Sequence, residues 1–433
     1  MAEKYAVKKL SACEVFDSRG VPTVGCRVDL EHGAYGFMQV PSGASTGQYE
    51  AYELRDGDKY RHRGKGVQRV VDSIEGIIQS TLMGHALVSI ADCDERLCSL
   101  DPTPQKRELG ANALLAVSGA FARAVAMQSG VPLHHHLDPS ACQIPVPMMN
   151  VLNGGRHAAN NLTIQEFMIV PHGFDSLHDA IAASSDVMHA LGEKLKRLGG
   201  HHTRGDEGGF APQLDDARQA LDLIAEAIES SAVSTSQVGI ALDMAASEYA
   251  NKAGYFLDKA GSHVLDPSQW TDYVHMLCDT YPIVSVEDPA GDDDQTTWSL
   301  LSDRLAHRIQ LVGDDLFVTQ TQRLQQGMES GTANAILIKP NQVGTVTEAL
   351  ECIRCAHQGN YQTVISHRSG ETEDAIISDL AVGAGVAQIK AGPLRQSDRV
   401  AKYNRLLWIE KSLGANASFA RPSYAVKALE EAV

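Results

Sequence analysis

Short apolar runs in the second half of the chain each end on a charged residue or a histidine. The runs are four to six residues long, and segments with helical spacing of apolar positions, such as Asp215–Ser230, lie between them. From Glu287 onward the terminal residues recur about every 25 residues, about the length of one strand–helix unit. This alternation predicts an α/β barrel. The six runs end at Asp243, Glu287, Asp314, Lys339, His367 and Lys390.

The first 140 or so residues follow a different pattern, in which four short strand-like runs precede two long helical ones. Turn residues such as Asp17–Gly20 separate the runs, as hairpins require. An antiparallel sheet followed by helices defines an α+β domain. We therefore predict an α+β domain over residues 1–138 and a barrel domain over residues 139–433, with a linker inside Pro132–Pro147. The predicted strands are Ala6–Leu10, Cys13–Phe16, Val24–Val28 and Ala34–Val40, and the predicted helices are Val67–Ile78 and Ala111–Gln128.

Charge and composition narrow the classes of partner. The chain of 433 residues has a formal net charge of −17, which argues against nucleic acid or an anionic membrane as a partner. No stretch approaches the roughly 18 apolar residues of a membrane span, and no signal peptide is evident, so we expect a cytoplasmic protein. Among the eight cysteines, Cys352 and Cys355 form a C-x-x-C pair inside a helical pattern. Without a second pair nearby, buried thiols are the better interpretation than a redox or zinc site.

The terminal residues of the runs predict a metal site. In a parallel barrel all strands point their carboxyl ends to one face, so these residues converge there. Asp243, Glu287 and Asp314 supply hard oxygen ligands without any cysteine, which indicates Mg²⁺ or Mn²⁺ rather than zinc. The alternative is a structural network of salt bridges.

Lysines and further acids at the same face suit proton transfer. A like-charged neighbour and a divalent metal lower the pKa of a lysine, so Lys339 or Lys390 is expected to act as a base. Glu166 and Glu207 are candidate acid partners, and the loop His367–Gly370 offers donors that suit a phosphate. Together these groups match proton abstraction next to a carboxylate, followed by expulsion of a β-hydroxyl.

Longer motifs carry a family resemblance over essentially the whole chain. At these motifs the sequence resembles the enolase family, in whose superfamily a lysine or histidine base works with one or two Mg²⁺ ions. The resemblance implies an α+β cap domain on an enolase-type eight-stranded barrel, usually dimerised. The matching segments are Asp17–Gly20, Pro41–Gly47, Glu53–Asp58, Leu109–Ala113, Asn153–Gly155 with His157, Gly205–Gly209, Ser366–Asp374 and Ser397–Arg399.

The resemblance also implies an activity, the dehydration of 2-phosphoglycerate to phosphoenolpyruvate. Lys339 would remove the C2 proton, and Glu207, aided by Glu166, would act as general acid on the departing C3 hydroxide. Two Mg²⁺ ions are implied in each active site. The implied ligands of the first ion are Asp243, Glu287 and Asp314, and Ser45 would help to bind the second. The implied substrate-binding residues are Arg368 and Ser369 for the phosphate, Lys390 for the carboxylate, and His157 and His367 in the pocket wall.

Departures from the family pattern leave the function open. Gly25 and Trp408 stand where the family usually pairs a glutamate and an arginine across its dimer interface, so we expect a homodimer with an altered interface, or a higher oligomer. Further departures near the site, at Gln39, Ala391 and Gln396, favour a specialised relative. The alternative function is that of such a relative, carboxyphosphonoenolpyruvate synthase of phosphinothricin biosynthesis, which resembles enolase. A catalytically idle, structural or surface-binding enolase is disfavoured because every catalytic acid and lysine is present.

Overall fold

The computed structural model describes residues 4–44, 47–199 and 203–424. Its N-terminal part is a four-stranded antiparallel sheet with the order β3-β2-β1-β4. The two strands predicted at the start of the chain are one continuous strand, whose register shifts between Val7 and Lys9. The strands are β1 (Tyr5–Phe16), β2 (Pro22–Leu30), β3 (Tyr35–Gln39) and β4 (Ala86–Leu87).

Helices cover the inner face of this sheet. The helix predicted at residues 67–78 is α1 joined to α2 by the π-helical turn Ile74–Ile78. The predicted bounds of α4 are confirmed, and β3 packs closely against this helix. A Cβ on Gly36 would lie 1.9 Å from the carbonyl oxygen of Ala120, so only glycine allows this approach. The helices are α1 (Gln68–Ser73), α2 (Gln79–Leu82), α3 (Ile90–Leu100), α4 (Ala111–Gln128) and α5 (Leu133–Leu137).

Eight strands of the C-terminal part form a closed barrel in the order β12-β13-β14-β15-β16-β6-β7-β8. The barrel is not wholly parallel, because β7 runs antiparallel to both of its neighbours. The barrel strands are β6 (Val146–Asn153), β7 (Glu166–Val170), β8 (Gly239–Asp243), β12 (Ile283–Glu287), β13 (Gln310–Gly313), β14 (Ala335–Ile338), β15 (Gln362–Ser366) and β16 (Gln388–Lys390).

Amphipathic helices follow or connect the barrel strands. Their starts carry side-chain caps, such as Asp216 before α7 and the capping box of Asp266 and Gln269 at α8. The helices are α6 (Leu177–Arg197), α7 (Ala217–Glu229), α8 (Pro267–Thr280), α9 (Gln295–Leu305), α10 (Thr321–Ser330), α11 (Val346–Gln358), α12 (Ile376–Gly383) and α13 (Ser397–Leu413).

The segment predicted as a linker is itself structured. It contains α5, the strand β5 (Gln143–Ile144) and the start of β6, and β5 pairs with β17 (Ser418–Phe419) near the end of the described chain. A further small sheet lies beside α8 and consists of β9 (Ala250–Asn251), β10 (Gly254–Phe256) and β11 (Val264–Leu265). No helix within residues 4–44, 47–199 and 203–424 is long and apolar enough to cross a membrane. All eight cysteines are free thiols, and Cys352 is buried.

One buried histidine makes the stability of the fold sensitive to pH. His172 is 3% exposed, its ring meets Tyr424 edge to face, and burial together with the charge of Arg421 lowers its pKa from 6.5 to about 4. Between pH 6.5 and pH 4 the unfolded chain therefore binds a proton at His172 that the folded chain does not bind. His172 lowers the free energy of unfolding as the pH falls through this window, by up to about 3 kcal/mol.

We expect His172→Gln to flatten the fall in the unfolding midpoint between pH 6.5 and pH 4, as followed by circular dichroism. The matched control is His178→Gln, because the His178 side chain is 78% exposed. If both variants follow the wild-type pH profile, His172 is not a buried group with a lowered pKa in the folded protein.

Candidate active site

A pocket opens at the carboxyl ends of the barrel strands, under the N-terminal domain. Among the described residues, eight acidic side chains and three basic ones line it, so these walls carry a large excess of carboxyl groups. The acidic residues are Glu50, Glu166, Glu207, Asp243, Glu248, Asp288, Asp314 and Asp315, and the basic residues are Lys339, Arg368 and Lys390. His157 and His367 complete the ionisable lining.

The six residues predicted at strand ends all lie at this end of the barrel. Asp243, Glu287 and Lys390 are the last residues of β8, β12 and β16. The other three residues each come one position after the end of a strand: Asp314 follows β13, Lys339 follows β14 and His367 follows β15. Strand direction, rather than closeness in sequence, therefore brings these side chains together.

Lys390 lies at the centre of a buried group of carboxylates. Its Nζ is 2.9 Å from Asp243 Oδ2, 2.8 Å from Glu287 Oε2 and 3.3 Å from Glu166 Oε1. Burial opposes the charge of Lys390, but the carboxylates outweigh burial and raise its pKa well above the ordinary value. Lys390 is therefore a fixed cation in this arrangement.

Lys339 forms an ion pair with Asp314, and neighbouring side chains hold that pair in place. Gln342 Nε2 donates to Asp314 Oδ1 at 3.0 Å, and the Thr319 hydroxyl donates to Gln342 Oε1 at 2.6 Å. Burial lowers the pKa of Lys339, but the Asp314 charge reverses the effect and the pKa is raised. The lowered lysine pKa expected from the sequence is therefore wrong for this arrangement, in which carboxylates dominate the surroundings of both lysines.

Glu166 and Glu207 meet two histidines on the other side of the pocket. His157 Nδ1 lies 3.8 Å from Glu166 Oε1 and 3.7 Å from Glu207 Oε2. Burial and the neighbouring Glu207 carboxylate raise the pKa of Glu166 well above its ordinary value. Burial alone would also raise the pKa of Glu207, but the histidines and Arg399 outweigh it and hold that pKa well below the ordinary value. The pair can thus keep one proton, and Glu166 is its more readily protonated member.

Arg399 orients His367, a role that the sequence did not reveal. Its fully buried guanidinium donates to His367 Nδ1 and, at 2.7 Å, to the carbonyl oxygen of Ser369. Because Nδ1 accepts, the ring proton of neutral His367 is on Nε2, which lies 3.6 Å from Glu207 Oε2. Burial and the Arg399 charge lower the pKa of His367 well below its ordinary value, so the neutral form is favoured. The only sequence signal was the motif Ser397–Arg399.

The predicted phosphate-binding residues contact the N-terminal domain. Arg368 Nη1 donates to Glu50 Oε2 at 3.0 Å, and the backbone N–H of Ala44 donates to the Ser369 hydroxyl at 2.7 Å. Glu50, which follows the glycine loop, is a second residue that sequence reasoning missed. Ser45, the predicted ligand of a second ion, lies outside the described residues.

The donor set fits a hard divalent cation. The three carboxylates predicted as ligands do not surround one point, because the lysine ammonium groups stand between them. Among the described residues, the acidic and histidine groups close enough to share an ion are His157 with Glu166 and Glu207, and Asp288 with Asp314 and Asp315.

The carboxyl groups of the pocket repel one another, which shows that the site lacks positive charge. Burial and the Asp243 charge raise the pKa of Glu287 to about 8, and burial and the Asp314 charge raise that of Asp315 to about 8. Oxygen donors with unbalanced negative charge are the environment that Mg²⁺ prefers. The alternative predicted from the sequence, a network of salt bridges, is thus present, but it does not neutralise the site.

A barrel with acids and lysines at the carboxyl ends of its strands, covered by an α+β domain that reaches its pocket, has the architecture of enolase-superfamily lyases. Two family models match the chain. The model described as Enolase, N-terminal domain matches residues 7–137, and Enolase, C-terminal TIM barrel domain matches residues 141–428. The chain therefore belongs to the enolase family. Membership indicates a lyase-type enzyme with a small phosphorylated substrate and general use of Mg²⁺.

Proposed function

We propose that the protein is a cytoplasmic, Mg²⁺-dependent hydro-lyase that converts 2-phosphoglycerate to phosphoenolpyruvate. The observation that carries this proposal is that Lys339, the Glu166–Glu207 pair and Arg368 line the same pocket. A base, an acid pair that keeps one proton, and a guanidinium for phosphate are the groups this dehydration requires.

Asp243, Glu287 and Asp314 would hold the first Mg²⁺ after exchanging their contacts with Lys390 and Lys339 for the ion, and Ser45 would help to hold a second. Bound there, Mg²⁺ supplies positive charge that stabilises the extra negative charge developing on the substrate carboxylate. Lys390, already fixed as a cation among the carboxylates, would bind the same carboxylate group. Arg368 and Ser369 would bind the phosphate, which requires Arg368 to exchange its contact with Glu50 for one with the substrate.

Proton transfer would proceed on both sides of the substrate. Lys339, released from its ion pair with Asp314 and neutral, would accept the proton from C2 at Nζ, which leaves an electron pair that the carboxylate delocalises. The Glu166–Glu207 pair would give its proton to the departing C3 hydroxide, so that water leaves. His157 and His367, within 4 Å of these carboxyl groups, would line the pocket and orient the leaving oxygen.

The direct test is the absorbance of phosphoenolpyruvate formed from 2-phosphoglycerate and Mg²⁺ by the purified protein. Turnover of about 1–10³ s⁻¹ is expected. Feeble turnover in a protein that still binds Mg²⁺ would contradict the proposed substrate.

A second candidate function is favoured by the surroundings of the Glu207 loop. Gln396 adopts a φ of +67°, and its Oε1 lies 2.7 Å from the place that a Cβ of Gly208 would occupy, next to Glu207. Ala391, another departure, is fully buried one residue after Lys390. These changes flank the acid side of the pocket while the charged groups stay in place. A specialised enzyme such as a carboxyphosphonoenolpyruvate synthase would use the same site, and it would turn over a phosphonate substrate but not 2-phosphoglycerate.

We also propose that the protein forms a homodimer with an apolar interface at Trp408. The Trp408 side chain on α13 is 71% exposed, and Gly25 lies under the Phe37 ring on the outer face of the sheet. Burial of an exposed tryptophan between two subunits stabilises association more than most contacts do.

Trp408→Arg is therefore expected to weaken the dimer at least about tenfold, as measured by sedimentation velocity over a concentration series. Addition of Gly25→Glu should recover part of the loss through a charge pair. The control is Leu300→Arg on α9, another partly exposed apolar residue. An unchanged association constant in Trp408→Arg would contradict the interface.

A further inference from the structure

A second depression lies outside the active-site pocket. It is an open groove of about 570 Å³ between α6, the loop that carries Glu207 and the loop that follows β16. The proposed dehydration does not use this groove. The ionisable and aromatic residues that line it are His189, Glu193, Lys196, Arg204, Phe210 and Arg395.

The groove is basic although the chain is strongly acidic. Its described lining contains three basic side chains, those of Lys196, Arg204 and Arg395. Glu193 is the single acid in that lining. Within the part of the chain that the structure describes, none of the three cations forms an ion pair with a carboxylate. Burial and the charge of Arg395 lower the pKa of Arg204 to about 10, because the two guanidinium groups repel each other.

Arg204 is held in position rather than extended into solvent. Its guanidinium stacks 3.6 Å from the centroid of the Phe210 ring, and its Nη1 donates to the carbonyl oxygen of Gly208 at 3.0 Å. The Phe210 ring in turn packs on Gly192 of α6, 3.0 Å from the place of a Cβ there. An arginine fixed in this way loses little side-chain entropy when a ligand binds.

We propose that this groove binds a phosphate-class dianion, a phosphate or phosphonate group either free or carried on a small molecule, between Arg204 and Arg395. Guanidinium groups present paired N–H donors that match the oxygens of such a group. Lys196 adds a third positive charge, and the remaining volume has room for the rest of a small molecule.

Such a ligand would connect two loops of the catalytic face. Arg204 is bonded to Gly208, the residue after Glu207, and Arg395 precedes Gln396, which contacts the same glycine. An anion bound by both arginines would therefore hold the turn Gly205–Gly209 against the loop after β16. The ligand would restrict the movement of Glu207 without touching the substrate.

The test is isothermal titration calorimetry with inorganic phosphate. Because Arg368 offers phosphate a second site in the active-site pocket, the titrations use Arg368→Ala protein with and without Arg395→Ala. Arg395 is exposed and has no side-chain partner among the described contacts, so its replacement leaves the fold intact. We expect the added Arg395→Ala to weaken phosphate binding at least about tenfold. The control in the same background is Arg354→Ala, an arginine whose side chain is 64% exposed on α11.

Hydrogen–deuterium exchange gives a second readout in the wild-type protein, so the proposal does not depend on Arg368→Ala folding correctly. Phosphate should slow exchange of the amides in Gly205–Phe210, and Arg395→Ala should remove most of that protection. Equal phosphate affinity with and without Arg395, or equal protection in the wild type and Arg395→Ala, would overturn the proposal. Absence of phosphate binding to the Arg368→Ala protein, together with no protection of Gly205–Phe210 in the wild type, would overturn it as well.

Discussion

Lys339→Ala is expected to abolish exchange of the C2 proton of 2-phosphoglycerate with deuterium from solvent. Lys339 Nζ lies in the same pocket as the Glu166–Glu207 pair and is the proposed acceptor of this proton. A positioned general base contributes about 10²–10⁴-fold to rate, so both exchange and turnover should fall by at least that factor. The measurement is loss of the C2 proton signal by NMR in deuterium oxide.

A matched control for this variant is Lys411→Ala, which removes an exposed lysine from the last turn of α13. Thermal unfolding of both proteins separates lost chemistry from lost structure, because Lys339 also neutralises Asp314 in the buried ion pair. If exchange survives in folded Lys339→Ala protein, the base is another group, and Lys390 is the next to test.

Glu207→Gln is expected to stop dehydration while C2 exchange continues. The substitution keeps the size of the side chain but removes the carboxylate that His157 and His367 face at 3.7 Å and 3.6 Å. The acid pair then loses a member, and the C3 hydroxide leaves without efficient protonation. Formation of phosphoenolpyruvate should fall by about 10²–10⁴-fold, whereas Lys339 still removes the C2 proton.

Both rates are measured on one sample, by absorbance and by NMR. Glu226→Gln serves as the control, because Glu226 lies on the exposed side of α7, where it pairs with Lys194. An equal loss of exchange and dehydration in Glu207→Gln would mean that Glu207 positions the substrate instead of acting as an acid.

The residues at the ends of parallel strands were predictable from sequence. Asp243, Glu287 and Lys390 each close a short apolar run, and a run of that length between helical patterns has few alternatives to a barrel strand. Glu166 follows a different rule. It is the first residue of β7, and it reaches the same end of the barrel because β7 runs in the opposite direction to its neighbours. Periodicity does not report strand direction, so only the family resemblance implied a place for Glu166 in the site.

Roles that depend on distance were not predictable from the pattern. Arg399 orients His367 across 32 positions of sequence, and Glu50 contacts Arg368 across 318. The charge state of Lys339 was predicted in the wrong direction for a related reason. Sequence placed one lysine beside another, but the structure surrounds both with carboxylates, whose combined effect exceeds both the lysine–lysine repulsion and burial.

The hydrogen bonds between the domains have an evolutionary consequence. Ser42 and Gly370 exchange two backbone bonds, of 2.7 Å and 2.9 Å, and Glu50 holds the guanidinium of Arg368. One partner of each contact lies in the N-terminal domain, and the other lies in the barrel domain. A crossover that joined the first domain of one enzyme to the barrel of a diverged relative would pair loops that had not been selected together. Such a hybrid gene would encode two sound folds and a poor catalyst, so the two domains are expected to be inherited as one unit.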